Sequence, residues 1–309
     1  MIQVVGIGPG RREGRTIAAD DALRRAEVIV GYTTYVELVR DEFAEKRFVT
    51  TGMRGEKERC VQALLLSREG RRVALICSGD AQVYGMASLL LGMAEEGDEI
   101  EVVPGVTAAL SAAAVLGSPL CGDFAVVSLS DQLTPWATIE RRLRAAAAGG
   151  FPIALYNPCS RHRPDHLARA CAILMETLPA STVCGYVQNI GRDGQKKSRV
   201  LTLGELVHEP LDMFTTVSCG NAETQERFGR MLTPQGIACE GASRRSFTTG
   251  SCAAAAARRE FVSGRGRTPS ARRIVVPAEQ NVCAGDLAHG SCLRGHQGRR
   301  RRLGYHHRE

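Results

Sequence analysis

The segment Val4-Val5-Gly6-Ile7-Gly8-Pro9-Gly10 is a short apolar run that ends in a glycine-proline-glycine turn. Glycine has no Cβ and proline fixes its φ angle, so a strand that ends in this way can bring its peptide groups close to a flat or anionic ligand. A dinucleotide fingerprint requires G-x-G-x-x-G opening directly into a helix, whereas here Pro9 interrupts the glycines and charged residues follow. The segment predicts a strand that leads into a small-molecule site, with an ordinary tight turn as the alternative.

Apolar strand-like runs alternate with amphipathic helical stretches from residue 1 to about residue 233, which is typical of an α/β protein. The predicted strands are 2–7, 28–30, 72–77, 100–103, 125–128, 153–156, 183–187 and 215–219. The predicted helices are 16–26, 57–68, 86–95, 108–116, 138–148, 166–178 and 224–232. We expect two successive α/β domains, 1–117 and 118–235, with a hinge near Gly117-Ser118-Pro119.

The 309-residue chain has a formal net charge of +7, but the charge is unevenly distributed. Residues 236–309 contain 14 arginines, no lysine and five acidic residues, whereas residues 1–235 contain 26 basic and 28 acidic residues. A polyanion-binding domain would carry basic and aromatic residues on a folded face. We therefore expect no nucleic-acid partner, and a basic tail that contacts a polyanion is the alternative.

No stretch approaches the roughly 18 to 20 apolar residues of a membrane span, and the amino terminus lacks a signal-peptide pattern. The eleven cysteines are irregularly spaced and form no C-x-x-C pair, which is typical of reduced, buried thiols. His162 and His166 are four residues apart, but no third ligand accompanies them. We expect a cytoplasmic protein with no membrane contact and no metal site.

Two further loops follow predicted parallel strands at their carboxyl ends, where open α/β sheets bind ligands. Ser78-Gly79-Asp80 follows strand 72–77, and Pro104-Gly105-Val106-Thr107-Ala108 follows strand 100–103. The glycines give access to the backbone, and the carboxylate of Asp80 can accept hydrogen bonds from ribose hydroxyls or an amino group. Asp80 and Thr107 are equally suited to cap the helices that follow them.

Five segments, taken together, resemble the tetrapyrrole (corrin and porphyrin) methyltransferase family in order and spacing. They are Val5-Gly6-Ile7-Gly8-Pro9-Gly10, Ser78-Gly79-Asp80, Val103-Pro104-Gly105-Val106-Thr107-Ala108, Tyr156-Asn157-Pro158 and Thr215-Thr216-Val217. Segments 79–87, 123–131, 133–136 and 155–158 most resemble the precorrin-3B or cobalt-factor III C17-methyltransferases of vitamin B12 synthesis. In that family a basic residue usually follows the Asn-Pro pair, whereas this chain has Cys159.

The resemblance implies a homodimer of subunits with two α/β domains, with S-adenosylmethionine in the cleft between the domains and a tetrapyrrole in an adjoining trough. By motif, the residues implied for the cofactor site are Pro9, Ser78, Gly79, Asp80, Val83, Thr107, Ala108, Asn157 and Ile190. The implied reaction is C17-methylation and ring contraction of precorrin-3B, cobalt-factor III or cobalt-precorrin-3. Another corrin-pathway C-methyltransferase of the same fold and an unrelated nucleotide-dependent enzyme are the alternatives.

The implied ring contraction displaces a hydroxyl-bearing bridge carbon, so a nearby proton donor or acceptor would help. We expect Asp131 to be this proton donor or acceptor and Ser130 to be its hydrogen-bond partner. The alternative is that Asp131 caps the helix after Pro135. Arg161 and Arg163 are the candidates for binding the substrate's peripheral carboxylates, because arginine binds such groups in a bidentate manner. Solvated loop charges are the alternative for these two arginines.

The C-terminal region has a different character. Residues 242–262 resemble the start of a second family, the cobalt-precorrin-5B C1-methyltransferases. A back-translation of residues 291–309, read one base later, resembles the next block of that family. We therefore expect residues 236–309 to be a truncated, frame-shifted remnant that is largely disordered. Since that second family belongs to the cobalt-containing branch of the pathway, the association favours a cobalt-containing substrate.

Overall fold

The computed structural model describes residues 1–192 and 196–235 of the chain. These residues belong to one compact unit. The expectations for residues 236–309, including the frame-shifted remnant and its disorder, lie outside the described part. Within the described part, strands and helices alternate along the chain, as the sequence predicts for an α/β protein.

The strands, in chain order, are β1 (Ile2–Gly6), β2 (Val28–Tyr32), β3 (Arg47–Thr51), β4 (Val73–Cys77), β5 (Ile100–Val103), β6 (Gly117–Ser118), β7 (Ala125–Ser128), β8 (Ile153–Tyr156), β9 (Val183–Gln188), β10 (Lys197–Thr202), β11 (Thr215–Cys219), β12 (Gln225–Arg227) and β13 (Arg230–Leu232). The α-helices are α1 (Ile17–Arg25), α2 (Thr33–Val36), α3 (Glu56–Arg68), α4 (Ala87–Met93), α5 (Ala108–Leu116), α6 (Trp136–Ala148), α7 (His166–Met175) and α8 (Leu203–Leu206).

The first sheet contains β1 to β5, all parallel, in the order β3-β2-β4-β1-β5. Helices cover both of its faces, which explains why its central strands are continuous apolar runs. In β1, Ile2 and Val4 pack in the core cluster that contains α3 and α4 residues, whereas Val5 packs in the cluster that contains α1 residues. Because β1 lies between β4 and β5, the loops that follow these three strands meet at one edge of the sheet.

The second sheet contains β7 to β11 in the order β10-β9-β11-β8-β7. It is mixed, since β7 and β8 are parallel while β8, β11, β9 and β10 pair in antiparallel fashion. Helix α5 packs on this sheet, with Ala112 and Leu116 in one cluster with Val187. Since α5 precedes residue 117 but packs on a sheet that follows it, the boundary at 117/118 stays a prediction.

The predicted helix 224–232 is wrong, because these residues form the hairpin of β12 and β13. The two turn residues, Phe228 and Gly229, have φ angles of 55° and 72°. Two consecutive residues with positive φ make the type of turn whose twist suits a two-residue hairpin, and they cannot continue a right-handed helix. β13 also pairs in parallel with β6, so the predicted hinge segment is partly a strand.

The sequence prediction also missed strands β3 and β10, each of which lies at an edge of its five-stranded sheet. Edge strands carry charged and polar residues that discourage pairing with other chains. Arg47 in β3 and Lys197, Ser198 and Arg199 in β10 are exposed, so neither strand has the apolar run by which strands were recognised. Among the described residues, no helix is long and apolar enough to cross a membrane.

Candidate active site

The loops after β1, β4 and β5 are held together by their own backbones. The N–H groups of Gly8 and Gly79 each donate to the other residue's carbonyl oxygen, at 3.0 and 2.7 Å. Gly105, in the loop after β5, packs so closely that a Cβ there would clash with the carbonyl oxygens of Gly6 and Gly79. Glycine at this position therefore allows three loops to converge on one point.

Asp80 fixes two of these loops. One of its carboxylate oxygens accepts the N–H groups of Gln82 and Val83 at 2.8 and 3.1 Å, and the other accepts the N–H of Gly105 at 3.0 Å. Burial alone would raise the pKa of Asp80, but these backbone donors hold it below its ordinary value. Because α4 begins only at Ala87, Asp80 does not cap that helix.

A cavity lies where these loops face the second sheet. Eight of the nine residues predicted for the cofactor site line it, namely Pro9, Ser78, Gly79, Val83, Thr107, Ala108, Asn157 and Ile190. The ninth, Asp80, is not among the lining residues. The other lining residues are Tyr35, Tyr84, Tyr156, Arg192, Met213, Phe214, Thr215 and Thr216. We call this space the cofactor cavity.

Tyr156, at the end of β8, closes the amino-terminal end of α5. Its hydroxyl accepts the N–H of Ala109 at 2.6 Å and lies 2.5 Å from the hydroxyl of Thr107. Thr107 occupies the N-cap position, but its side chain makes no capping hydrogen bond, so the phenol performs that task instead. Burial raises the pKa of Tyr156, which keeps the phenol neutral at physiological pH.

Tyr84 connects the loop after β4 to the second sheet. Its hydroxyl accepts the N–H of Ser128 at 2.9 Å and donates to the carbonyl of Val126 at 3.2 Å, so it pairs with the free edge of β7. The rings of Tyr84 and Tyr156 are 5.4 Å apart. One wall of the cavity is therefore aromatic and tied to both sheets.

S-adenosylmethionine, the cofactor that the resemblance implies, combines a purine, a ribose, a sulfonium and an amino-acid carboxylate. The cavity offers the exposed backbone around Gly79, the hydroxyls of Thr215 and Thr216, aromatic rings such as Phe214, and the amino-terminal end of α5. Aromatic faces suit a cation or a purine, and a helix amino terminus suits a carboxylate. The residues present therefore fit this cofactor.

The predicted catalytic pair lies outside the lining of the cofactor cavity. Asp131 is exposed, and its Oδ2 lies 3.3 Å from Nε2 of the buried His166. The N–H of Ser130 donates to Oγ of Ser128, which also accepts a hydrogen bond from the Asn157 side chain at 3.0 Å. Asp131 does not cap α6, since Pro135 is its N-cap and no side chain bonds there. The catalytic roles of Ser130 and Asp131 stay predictions.

The predicted substrate-binding arginines also lie away from the cavity. Nε of Arg163 donates to Oγ of Ser160 at 3.2 Å, and Arg161 is exposed. Neither lines the cofactor cavity. The arginine that does line it, Arg192, was not predicted, and no motif marks it except that it follows Ile190 by two residues.

Comparisons with known proteins show what this chain is similar to. The model of the family described as Tetrapyrrole (Corrin/Porphyrin) Methylases matches residues 1–207. A Salmonella typhimurium protein named probable cobalt-factor III C(17)-methyltransferase is 45% identical over 239 residues, which cover 76% of this chain and 99% of that protein. A Sinorhizobium protein named precorrin-3B C(17)-methyltransferase is 38% identical over 237 residues, which cover 74% of this chain and 92% of that protein.

Two further matches differ in extent. The Archaeoglobus fulgidus cobalamin biosynthesis protein CbiHC is 44% identical over 238 residues, and the chain spans only 52% of its length. The crystal structure of the methyltransferase CobJ superimposes with a TM-score of 0.71 at 37% identity, covering 75% of this chain and 99% of that one. The predicted α/β fold and the family resemblance are thereby confirmed. This chain belongs to the tetrapyrrole (corrin/porphyrin) methylase family.

Proposed function

We propose that the chain is an S-adenosylmethionine-dependent methyltransferase that methylates C17 of a corrin precursor and contracts its ring in cobalamin biosynthesis. The observation that carries this proposal is the match along 99% of a relative named for C17-methylation of cobalt-factor III. The convergence of eight motif residues on one cavity supports it, because a methyltransferase needs a single pocket for the methyl donor.

Bound S-adenosylmethionine supplies an electrophilic methyl group on a sulfonium whose departing thioether is neutral. The leaving group needs no proton, so the residues of the cavity have to position the methyl donor and the substrate rather than protonate the leaving group. The loops after β1, β4 and β5 would hold one side of the cofactor, and Tyr156 and Asn157 would contact it from the second sheet.

Ring contraction requires a proton to be moved, and we infer that Asp131 moves it with Ser130 as its hydrogen-bond partner. Oδ2 of Asp131 lies 3.3 Å from Nε2 of His166, and its loop follows Ser128, which accepts a hydrogen bond from Asn157 of the cofactor cavity. Replacing Asp131 with asparagine should leave methyl transfer in place and stop contraction. The product would then carry the new methyl group but keep the absorption spectrum of the uncontracted macrocycle, and a normally contracted product would refute the role.

The substrate is a tetrapyrrole, and we favour cobalt-factor III or cobalt-precorrin-3 over precorrin-3B. The chain is 45% identical to the Salmonella protein, which is named for cobalt-factor III, and 38% identical to the Sinorhizobium protein, which is named for precorrin-3B. The higher identity to the first favours a cobalt-containing substrate. Incubating the full chain with each compound and labelled S-adenosylmethionine tests this choice. We expect label at C17 of the cobalt compounds, and label in the cobalt-free compound alone would reverse the preference.

The remaining expectations belong to the same proposal. The resemblance implies a homodimer, the sequence pattern favours a cytoplasmic location, and sedimentation of the full chain measures the first. A competing nucleotide-dependent activity predicts binding of NAD instead of S-adenosylhomocysteine. A calorimetric titration with both ligands decides between the two classes, and binding of NAD alone would overturn the proposal.

A further inference from the structure

A second cavity adjoins the cofactor cavity. Its lining residues are Tyr32, Tyr35, Met53, Glu56, Arg59, Ile76, Cys77, Ser78, Tyr84, Gly85, Met86 and Met213. Four of these, Tyr35, Ser78, Tyr84 and Met213, also line the cofactor cavity, so the two spaces share a wall. A ligand that extends from the cofactor cavity into the second cavity would therefore contact the four shared residues.

Only two of the arginines in residues 1–192 and 196–235 line either cavity, and they differ in their partners. Arg59 is buried and already bonded, to the hydroxyl of Thr51 at 2.6 Å and the carbonyl of Gly52 at 3.1 Å. It also lies 3.4 Å from the carboxylate of Glu56. Its guanidinium therefore anchors the segment after β3 and is not free for an anion.

Arg192 has the opposite character. Its guanidinium lies 4.5 Å from the centre of the Phe214 ring, and it forms no ion pair with any carboxylate of the described residues. Arg192 and Tyr35 both line the cofactor cavity, and burial raises the pKa of that phenol while the charge of Arg192 lowers it by a smaller amount. Tyr35 is itself held in place by an edge-to-face contact with Tyr32, at 5.1 Å between ring centroids. A cation and a phenol thus face the same space.

The surroundings of Arg192 lie at the open side of the cofactor cavity. Met213 and Phe214 are 36% and 39% exposed, and Tyr84 is 55% exposed. These three side chains line the cavity, so a flat apolar ligand that enters it could pack against them. Arg192 forms no ion pair with a carboxylate of the described residues, so its guanidinium is available to an anionic group on a second, flat ligand.

We propose that Arg192, together with the hydroxyl of Tyr35, binds one peripheral carboxylate of the tetrapyrrole and thereby sets the position of the macrocycle over the cofactor cavity. This inference rests on the proposed function, since it takes the second ligand to be a tetrapyrrole. It assigns to Arg192 the role that the sequence suggested for Arg161 and Arg163. Arginine suits it because its planar guanidinium binds a carboxylate through two parallel hydrogen bonds and also stacks on an aromatic ring.

The test is a titration of the full chain with cobalt-factor III in the presence of S-adenosylhomocysteine, followed by the absorption of the tetrapyrrole. Arg192→Met should weaken binding about 10-fold to 100-fold, as expected for one lost charge-assisted pair. Arg192→Lys should recover part of the loss, and Tyr35→Phe should weaken binding by less than Arg192→Met. Arg227→Met is the matched control, because Arg227 also stacks on a phenylalanine, Phe228, but is exposed and lines neither cavity.

Two further arms identify the anion. The same titration with the methyl ester of the tetrapyrrole should give equal affinities for the original chain and Arg192→Met, because the ester carries no charge for the guanidinium. Calorimetry with S-adenosylhomocysteine alone should also give equal affinities, and it shows that the variant is folded. A loss of S-adenosylhomocysteine affinity would assign Arg192 to the cofactor and overturn the inference.

These experiments distinguish a failure of the Arg192 inference from a failure of the proposed function. If the original chain and Arg192→Met bind cobalt-factor III equally, the role of Arg192 is wrong while the proposed function stands. If the original chain binds S-adenosylhomocysteine but no tetrapyrrole, both proposals are wrong.

Discussion

Asp80 joins two loops that follow different strands of the first sheet. Its carboxylate accepts three backbone N–H groups, from Gln82, Val83 and Gly105. Without the Asp80 carboxylate, each of these N–H groups would lose its hydrogen-bond acceptor close to the cofactor cavity. At the scale of the residue, therefore, the family's Ser-Gly-Asp segment combines an open peptide at Gly79, which lines the cavity, with an acceptor beneath it that fixes the loop.

Replacing Asp80 with asparagine should destabilise the chain by about 1–3 kcal/mol, because one amide position would face the N–H of Gly105 as a second donor. The effect should depend on pH. The pKa of Asp80 is lowered in the folded state, so its ionised form contributes stability in full above about pH 4, and that contribution is lost as the pH falls through the lowered pKa. Thermal unfolding from pH 3 to pH 7 measures the difference.

The control for this series is Asp21→Asn, because Asp21 is exposed on α1 and does not line the cofactor cavity. Its unfolding curve should stay close to that of the original chain at every pH. A difference between Asp80→Asn and the original chain that persists undiminished at pH 3 would show that the ionised carboxylate is not the source of the stabilisation.

At the scale of elements, α5 depends on a side chain from another sheet. Its own N-cap residue, Thr107, makes no capping bond, and Tyr156 from β8 supplies the acceptor for the N–H of Ala109. The amino-terminal end of α5 lines the cofactor cavity through Thr107 and Ala108. The capping bond therefore also determines where these two residues lie.

Tyr156→Phe should lower the free energy of unfolding by about 0.5–2 kcal/mol, the usual loss when a helix cap is removed. It should also weaken S-adenosylhomocysteine binding, because the end of α5 is no longer held. Urea denaturation and calorimetry give the two quantities. Tyr186→Phe is the matched control, since that phenol bonds to Glu209 and does not line the cofactor cavity; an equal loss of cofactor affinity in both variants would contradict the argument.

Elements with a buried apolar pattern were predictable from sequence, and elements defined by an edge or a turn were not. Helix α5 begins and ends at the predicted residues, 108 and 116. It was predictable because most of its residues are alanines and leucines, which are apolar and favour helices. The sequence of β10 is mostly polar, and Leu201 is its only buried residue. The hairpin of β12 and β13 depends on the positive φ of Phe228, a conformation that a sequence pattern does not reveal for phenylalanine.

At the scale of the whole molecule, the site is built by both sheets. The glycine loops that line it are local in sequence, so motifs identified them. Arg192 and Phe214 belong to the second half of the chain and Tyr35 to the first, and only the folded structure brings them to one cavity. Phe214 directly precedes the motif Thr215-Thr216-Val217, but Arg192 and Tyr35 lie outside the family motifs, so the sequence favours the segment after Asn157 for the substrate-binding arginines instead.

Tyr84 forms a direct bond between the loop of one sheet and the edge of the other, so its hydroxyl should influence the cavity as a whole. Tyr84→Phe frees the N–H of Ser128, whose hydrogen exchange should become about ten-fold faster. The N–H of Leu129 is the internal control, because it donates to the carbonyl of Tyr156 and keeps that partner. A shift between the sheets that costs about 1 kcal/mol should weaken S-adenosylhomocysteine binding about five-fold. Unchanged exchange at Ser128 together with unchanged affinity would mean that the two sheets keep their relative position without this bond.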